Sequence, residues 1–301
     1  MPEQLHNTLY TLSCAYQQGA CENDYEVVVV ENTSANTLGQ EFVKSLPSNF
    51  SYYLRQEQSQ SPAAAINFGL QQARGDFVGL MIDGAHMLSP GVIALAELVR
   101  TISNKALITV PTYHLGPDEQ HLSTQQGYDE LVQQELLRSI DWKADGYQLF
   151  SVSSWCGANP RGYFAPIMES NCYFASRQAF EEIGGADTSF QQPGGGALNL
   201  HLTRKLGTLN DTKYFTLAGE GSFHQFHGGI TSNHTREEYE DRFNAELQQH
   251  WNNQYHFLER NPIIIGSMKP QALANLAFSS QKMLRRFDNC RTNQWEVWSD
   301  D

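Results

Sequence analysis

The chain has 301 residues, 40% of them hydrophobic, enough for one large domain or a domain with an extension. Its net charge is −13 and no basic cluster is larger than a pair such as Arg285-Arg286, which argues against a nucleic-acid backbone as partner. A nucleotide ligand stays open, because a metal ion or a helix N-terminus meets its phosphates locally.

No stretch reaches the roughly 20 apolar residues of a membrane helix. The opening MPEQLHNTLYTLS lacks the charged-then-apolar pattern of a signal peptide. Five scattered cysteines, at 14, 21, 156, 172 and 290, have no metal-type spacing and read as reduced thiols in a cytoplasmic protein.

In chain order, Leu5, Leu9, Leu12 and Tyr16 keep helical spacing up to Gly19. The β-branched run Val27–Val30 predicts a buried parallel strand, stopped by the turn-rich ENTSAN. Residues 37–45 read as a helix and 50–54 as a strand. SPAAAINFGLQQARG carries Ser61 as N-cap, Pro62 at the first helical position and Gly75 as stop. Strand 77–82 follows, ending in Asp83, then helix 91–103 and strand 106–110. Strands alternating with helices predict a doubly wound, mostly parallel sheet, and a carboxylate at a strand's C-terminal end is where such sheets keep ligand chemistry.

Further on, residues 127–140 read as a helix, NCYFAS as a strand, 177–183 as a helix, and 193–206 as a Gly-rich loop entering a helix. Short strands are expected near 213–217 and 222–226. After Thr235 the sequence turns charged and helical, with Tyr239, Phe243, Leu247 and Trp251 at helical spacing, then an Ile263–Ile265 run and a last helix from Pro270. The expected organisation is a main domain over 1–235 and a helical C-terminal extension over 236–301 packed on it.

The order strand, ENTSAN, helix with Asn67-Phe68-Gly69, then GDFVGLMIDG and FASRQAFEEIGGADTSF resembles the family 2 glycosyltransferases of the Rossmann-like A-type fold, over roughly residues 5–230. The resemblance implies a transferase of the hexosyl class, moving a sugar from a nucleotide-diphosphate sugar to an acceptor of unassigned type. It implies Glu31, Asn67 and Gly69 around the nucleotide and Asp83 at the ribose and metal.

Three departures accompany the likeness. Ala85 stands where the second, metal-binding aspartate belongs, and a methyl group cannot ligate Mg²⁺ or Mn²⁺. GEGSFHQFHGG supplies His224 and His227 in the place where some A-type enzymes draw a late histidine ligand, so Asp83 with His227 is the expected metal pair. His224 and His86 are further ligand candidates, or polar residues on strand ends.

Second, the family's acids near the acceptor are replaced by Gly195-Gly196-Ala197-Leu198-Asn199. Asn199 and Glu169 are the residues expected on the acceptor side, Glu169 either as a base for the acceptor hydroxyl or as a simple surface or capping residue. Inverting and retaining outcomes both stay open. Third, the sequence starts at the helix that follows the family's first, central strand, so the expectation is that either the natural protein begins upstream with that strand or another segment or a partner chain fills the slot. A catalytically silent nucleotide-sugar binder that kept the fold is the rival reading, with a metal hydrolase on Asp83 and the histidines as a third. Homo-oligomerisation is left open.

Overall fold

The structure, a computed structural model, describes residues 2–34, 36–57, 59–157, 159–168, 170–227, 236–252 and 258–291. Three sheets and ten α-helices organise these residues.

Helix α1 (Pro2–Thr11) leads to strand β1 (Val27–Asn32), short helix α2 (Gln40–Lys44) and strand β2 (Phe50–Arg55). β1 and β2 pair in parallel, Val27 opposite Phe50. Helix α3 (Ala63–Gln72) starts where expected, with Ser61 Oγ accepting from Ala63 N at 3.3 Å. It packs closely over β1, since a Cβ on Gly69 would touch Val30 Cγ2.

Strand β3 (Phe77–Met81) edges a five-stranded sheet ordered β11-β9-β5-β8-β3, with β5 (Ala106–Thr109), β8 (Cys172–Ser176), β9 (Lys213–Leu217) and β11 (Ile263–Ile265). β8 runs antiparallel to β3 and β5; β5, β9 and β11 are parallel. Gly79 faces Phe174 across the β3–β8 ladder, and a Cβ there would lie 2.5 Å from the phenyl ring. Helix α4 (Val92–Ile102) lines the sheet with Val92, Ala96 and Val99, one apolar stripe.

The third sheet, ordered β4-β10-β6-β7, is assembled from β4 (His86–Leu88), β6 (Thr112–Leu115), β7 (Ser153–Trp155) and β10 (Ser222–His224). The sequence reading placed no strand at β4, β6 or β7, because runs of three or four residues show no periodicity. Helices α5 (Gln120–Gln125) and α6 (Glu130–Arg138) follow β6; α6 is capped by Asp129, which accepts from Val132 N at 2.9 Å.

After β8, helix α7 (Arg177–Glu182) begins with Arg177, whose guanidinium donates to the Leu70, Ala73 and Gly75 carbonyls and closes the C-terminal end of α3. Helix α8 (Leu198–Thr208) follows the Gly-rich loop. The last segment combines two helices with a strand formed by the Ile263–Ile265 run. Helix α9 (Arg236–Trp251) lays Leu247 and Trp251 on the main core, but β11 then joins the main sheet beside β9. Tyr239 and Phe243, expected on the same stripe, have side chains outside the described set. Helix α10 (Leu273–Arg291) seats Ser279 against the turn at 162–164, where Tyr163 N donates to Ser279 Oγ at 3.1 Å.

Among the described residues, β1 pairs only with β2, and β3 only with β8. Glu26 ties the starts of β1 and β3, accepting from Arg74 N at 2.5 Å and Gly75 N at 3.1 Å. No helix among the described residues is long and apolar enough to cross a membrane.

Candidate functional site

Asp83 lies just past the C-terminal end of β3. Its Oδ1 accepts from Ala85 N at 2.9 Å, a turn that fixes the carboxylate and leaves Oδ2 pointing elsewhere. Ala85, at the position of the family's second acid, is fully buried. Its carbonyl accepts from Gln225 N at 2.7 Å, which extends the β4–β10 ladder and brings the chain after β10 back over Asp83.

Three donor atoms converge as a result. Asp83 Oδ2 is 3.2 Å from His227 Nε2 and 3.6 Å from His224 Nε2, and the two Nε2 atoms are 3.1 Å apart. The side chains keep 26%, 14% and 12% exposure, so the cluster is recessed but reachable. A point equidistant from three atoms so placed is about 1.9 Å from each. A cation slightly off their plane would meet all three at the roughly 2.0–2.2 Å of transition-metal bonds to imidazole nitrogen and carboxylate oxygen. The donor set therefore fits a divalent ion. The carboxylate and His227 also suit one another electrostatically. Burial would push the Asp83 carboxyl up, but hydrogen bonds and charge from His224 and His227 outweigh it and hold it well below the usual range. Burial would lower His227, and Asp83 outweighs that in turn and raises it.

Register builds a second feature. His224 sits directly opposite His86 on β4 and beside His114 on β6, so three imidazoles form one row across three strands. Ring centroids are 4.8 Å apart for His86–His224 and 5.4 Å for His114–His224. His86 Nδ1 pairs with Ser222 Oγ at 2.9 Å. Burial pushes His86 well below its ordinary value and His114 down to about 3, so both rings are neutral.

The loop that carries His227 is braced from outside the sheet. Gln225, fully buried, donates through Nε2 to Gln4 O at 2.9 Å and Thr8 Oγ1 at 3.2 Å, and accepts from Asn7 Nδ2 at 2.9 Å. Phe226 N donates to Gln133 Oε1 of α6 at 2.5 Å. Thr8 Oγ1 reaches Gly84 O at 2.7 Å, so α1 holds both walls of the cluster.

The remaining sequence candidates are held by contacts of their own. Glu31 accepts from Tyr52 OH at 2.6 Å and Leu38 N at 3.1 Å at the end of β1. The Asn67 amide is committed to the backbone after α7, donating to Ala186 O and accepting from Ala186 N, both at 2.8 Å. Gly69 faces β1. No hydrogen bond or ion pair among the described residues joins Glu31, Asn67 or Gly69 to Asp83. Asn199 is buried at the start of α8 and donates to Asn171 Oδ1 at 3.0 Å. Glu169 lies outside the described residues. His114, Gln225, Gln4, Asn7, Thr8 and Gln133 were missed, because their placement depends on strand register and helix docking. A separate polar groove, lined by Gln56, Glu57, Ser59 and Gln191, shares no residue with the cluster.

In comparisons with known proteins, residues 1–349 of S. aureus TarS share the fold, at 12% identity and a TM-score of 0.51, over 98% of this chain and 72% of that one. The same TarS region in complex with UDP-GlcNAc aligns over 96% of this chain and 70% of that one, again at 12% identity and a TM-score of 0.51. No curated protein matches in sequence. The sequence does match the family described as glycosyltransferase like family 2 over residues 5–210, more than half its length. With an A-type fold and a carboxylate at the end of β3 in that stretch, this chain belongs to glycosyltransferase-like family 2.

Proposed function

We propose that the chain transfers a hexosyl group from a nucleotide-diphosphate sugar to an acceptor, with a divalent cation held by Asp83, His224 and His227. The observation that carries this reading is the convergence of Asp83 Oδ2 with the two Nε2 atoms within 3.6 Å. TarS, which shares the fold, binds UDP-GlcNAc in its own structure, which supports a nucleotide-sugar donor here. A bound cation of this kind offsets the negative charge that develops on a departing nucleoside diphosphate.

The protein's own groups divide the remaining work. Asp83 is oriented by the Ala85 amide, so its free oxygen faces the histidines before any ligand arrives. Glu31, steadied by Tyr52 and the Leu38 amide, closes the nucleoside end from β1. Asn67 and Gly69 act at one remove, holding α3 against β1 and the 185–186 turn. Asn199, braced on Asn171, faces the acceptor side, with Glu169 two residues before Asn171 in sequence.

Calorimetric titration of UDP, GDP and their sugar conjugates, first with Mn²⁺ and then with EDTA, tests the assignment. The expected outcome is binding of one nucleotide class that is lost in EDTA and weakened at least about 10-fold in Asp83→Asn, the scale set by losing a charge-assisted contact. Binding indifferent to metal and to Asp83→Asn would sink this reading in favour of a silent nucleotide-sugar binder.

A further inference from the structure

The cation site proposed above leaves nitrogen atoms over. His86 Nε2 and His224 Nδ1 are buried side-chain atoms that make no hydrogen bond within the protein, and His114 Nδ1 is a third. An unpartnered buried polar atom is costly, and three in one cross-strand row beside a carboxylate point to a ligand.

His86 is the best placed of them to reach the cluster. Its ring lies on the Asp83 side of the row, and a carboxylate oxygen of Asp83, a ring nitrogen of His86 and a ring nitrogen of His224 all fall within 4.8 Å of one another. Donors around a tetrahedral ion with bonds of about 2.1 Å stand about 3.4 Å apart, so the His86 ring has to move inward by about 1 Å or more to join the other ligands. The other ring nitrogen, Nδ1, is already engaged by Ser222 Oγ. That is the arrangement by which an outer hydrogen bond fixes a ligating imidazole's orientation.

We propose that His86 Nε2 is a fourth donor, making a three-imidazole, one-carboxylate centre that selects zinc-class transition ions over Mg²⁺. The inference rests on the Asp83–His224–His227 reading and extends it to ligand number and ion class. Imidazole nitrogen suits Zn²⁺ and its late transition neighbours, whereas Mg²⁺ requires oxygen ligands and keeps its waters. Ala85 contributes to the same selection, since it removes the carboxylate that would have added an oxygen.

Equilibrium dialysis with elemental analysis tests this on the full chain without any activity assay. Wild-type protein is expected to retain one Zn²⁺ or Co²⁺ per chain against a large excess of Mg²⁺, and His86→Gln to weaken retention about 10-fold or more. Asp83→Asn is expected to weaken it further. His86→Gln retaining the ion as tightly as wild type, or Mg²⁺ displacing it at equal concentration, would overturn the four-donor centre and leave the three-donor reading standing. Retention unchanged in Asp83→Asn would overturn both. Pulsed electron paramagnetic resonance of Cu²⁺-loaded wild type requires no variant: three coordinating imidazoles support the inference, and two refute it.

Discussion

Gln225 shows how much of the site depends on a residue that performs no chemistry. Its amide satisfies Gln4, Asn7 and Thr8 on α1 while its backbone continues the β4–β10 ladder, so the step from His224 to His227 is held at both ends. Gln225→Ala is expected to cost about 1–3 kcal/mol in denaturant unfolding, the usual penalty for stranding buried partners, and to weaken cation binding about 10-fold. His114 makes a prediction about pH. Burial lowers its folded-state value to about 3, so below the unfolded value near 6.5 the unfolded chain binds more protons and stability falls with falling pH. The slope is about 1.4 kcal/mol per pH unit from this one group. His227 works the other way, its raised value giving stability that is present below pH 6.5 and lost as pH rises through the folded value. Urea unfolding of wild type and His114→Gln at pH 7.5 and 5.5 isolates the first effect: the variant should lose about one proton's worth of pH dependence.

Among the elements, the contact between α9 and the Gly-rich loop ahead of α8 ties the C-terminal segment to the main core. Glu246 is buried and accepts from Ala197 N at 2.8 Å, closing the N-terminal end of α8 from another helix. Gly196 sits at φ +50, and a Cβ there would lie 2.1 Å from Glu246 Oε2. Gly196→Ala and Glu246→Ala are each expected to destabilise by about 1–3 kcal/mol, and the double variant by less than their sum, because both act on one contact. Thermal or urea unfolding of the four proteins checks this. Elements differed sharply in how legible they were. α3, α4 and β5 were readable because capping residues, an apolar stripe or a β-branched run marks them locally. β4, β6 and β7 were not, being too short to show a period, and the row His86–His224–His114 exists only through pairings between strands more than 100 residues apart. Asp83 and His227 were paired from motif order and lie 3.2 Å apart, while His224 was weighted below His227 although it stands equally close to the centre. Asn67 and Gly69 also brace α3, the first against Ala186 and the second against Val30 of β1.

At the scale of the whole molecule, the C-terminal segment is tied into the main sheet. β11 contributes a ladder to the main sheet, Ile263 opposite Phe215, and Arg260 donates to the Thr212 carbonyl at 2.6 Å. Glu220, just past β9, is similarly central. It is buried and accepts from Ser89 Oγ at 2.5 Å, Tyr147 OH at 2.9 Å and Gly91 N at 3.1 Å, which locks three distant segments together. Glu220→Ala is expected to cost on the order of 3 kcal/mol, because several buried donors lose one acceptor. A chain ended after residue 252 is expected to give aggregated protein on expression, since the β9 edge then lies open; a soluble, cooperatively unfolding product would contradict that account.

The pairing of β11 with β9 has a consequence for how the protein is made. About 45 residues separate the end of β9 from the start of β11. At roughly 5–20 residues per second, a ribosome leaves the β9 edge uncovered for about two to nine seconds. During that interval neighbouring nascent chains on the same message can pair with the open edge. Slow codons between residues 217 and 263 would lengthen that window, and a holdase acting early would shield it.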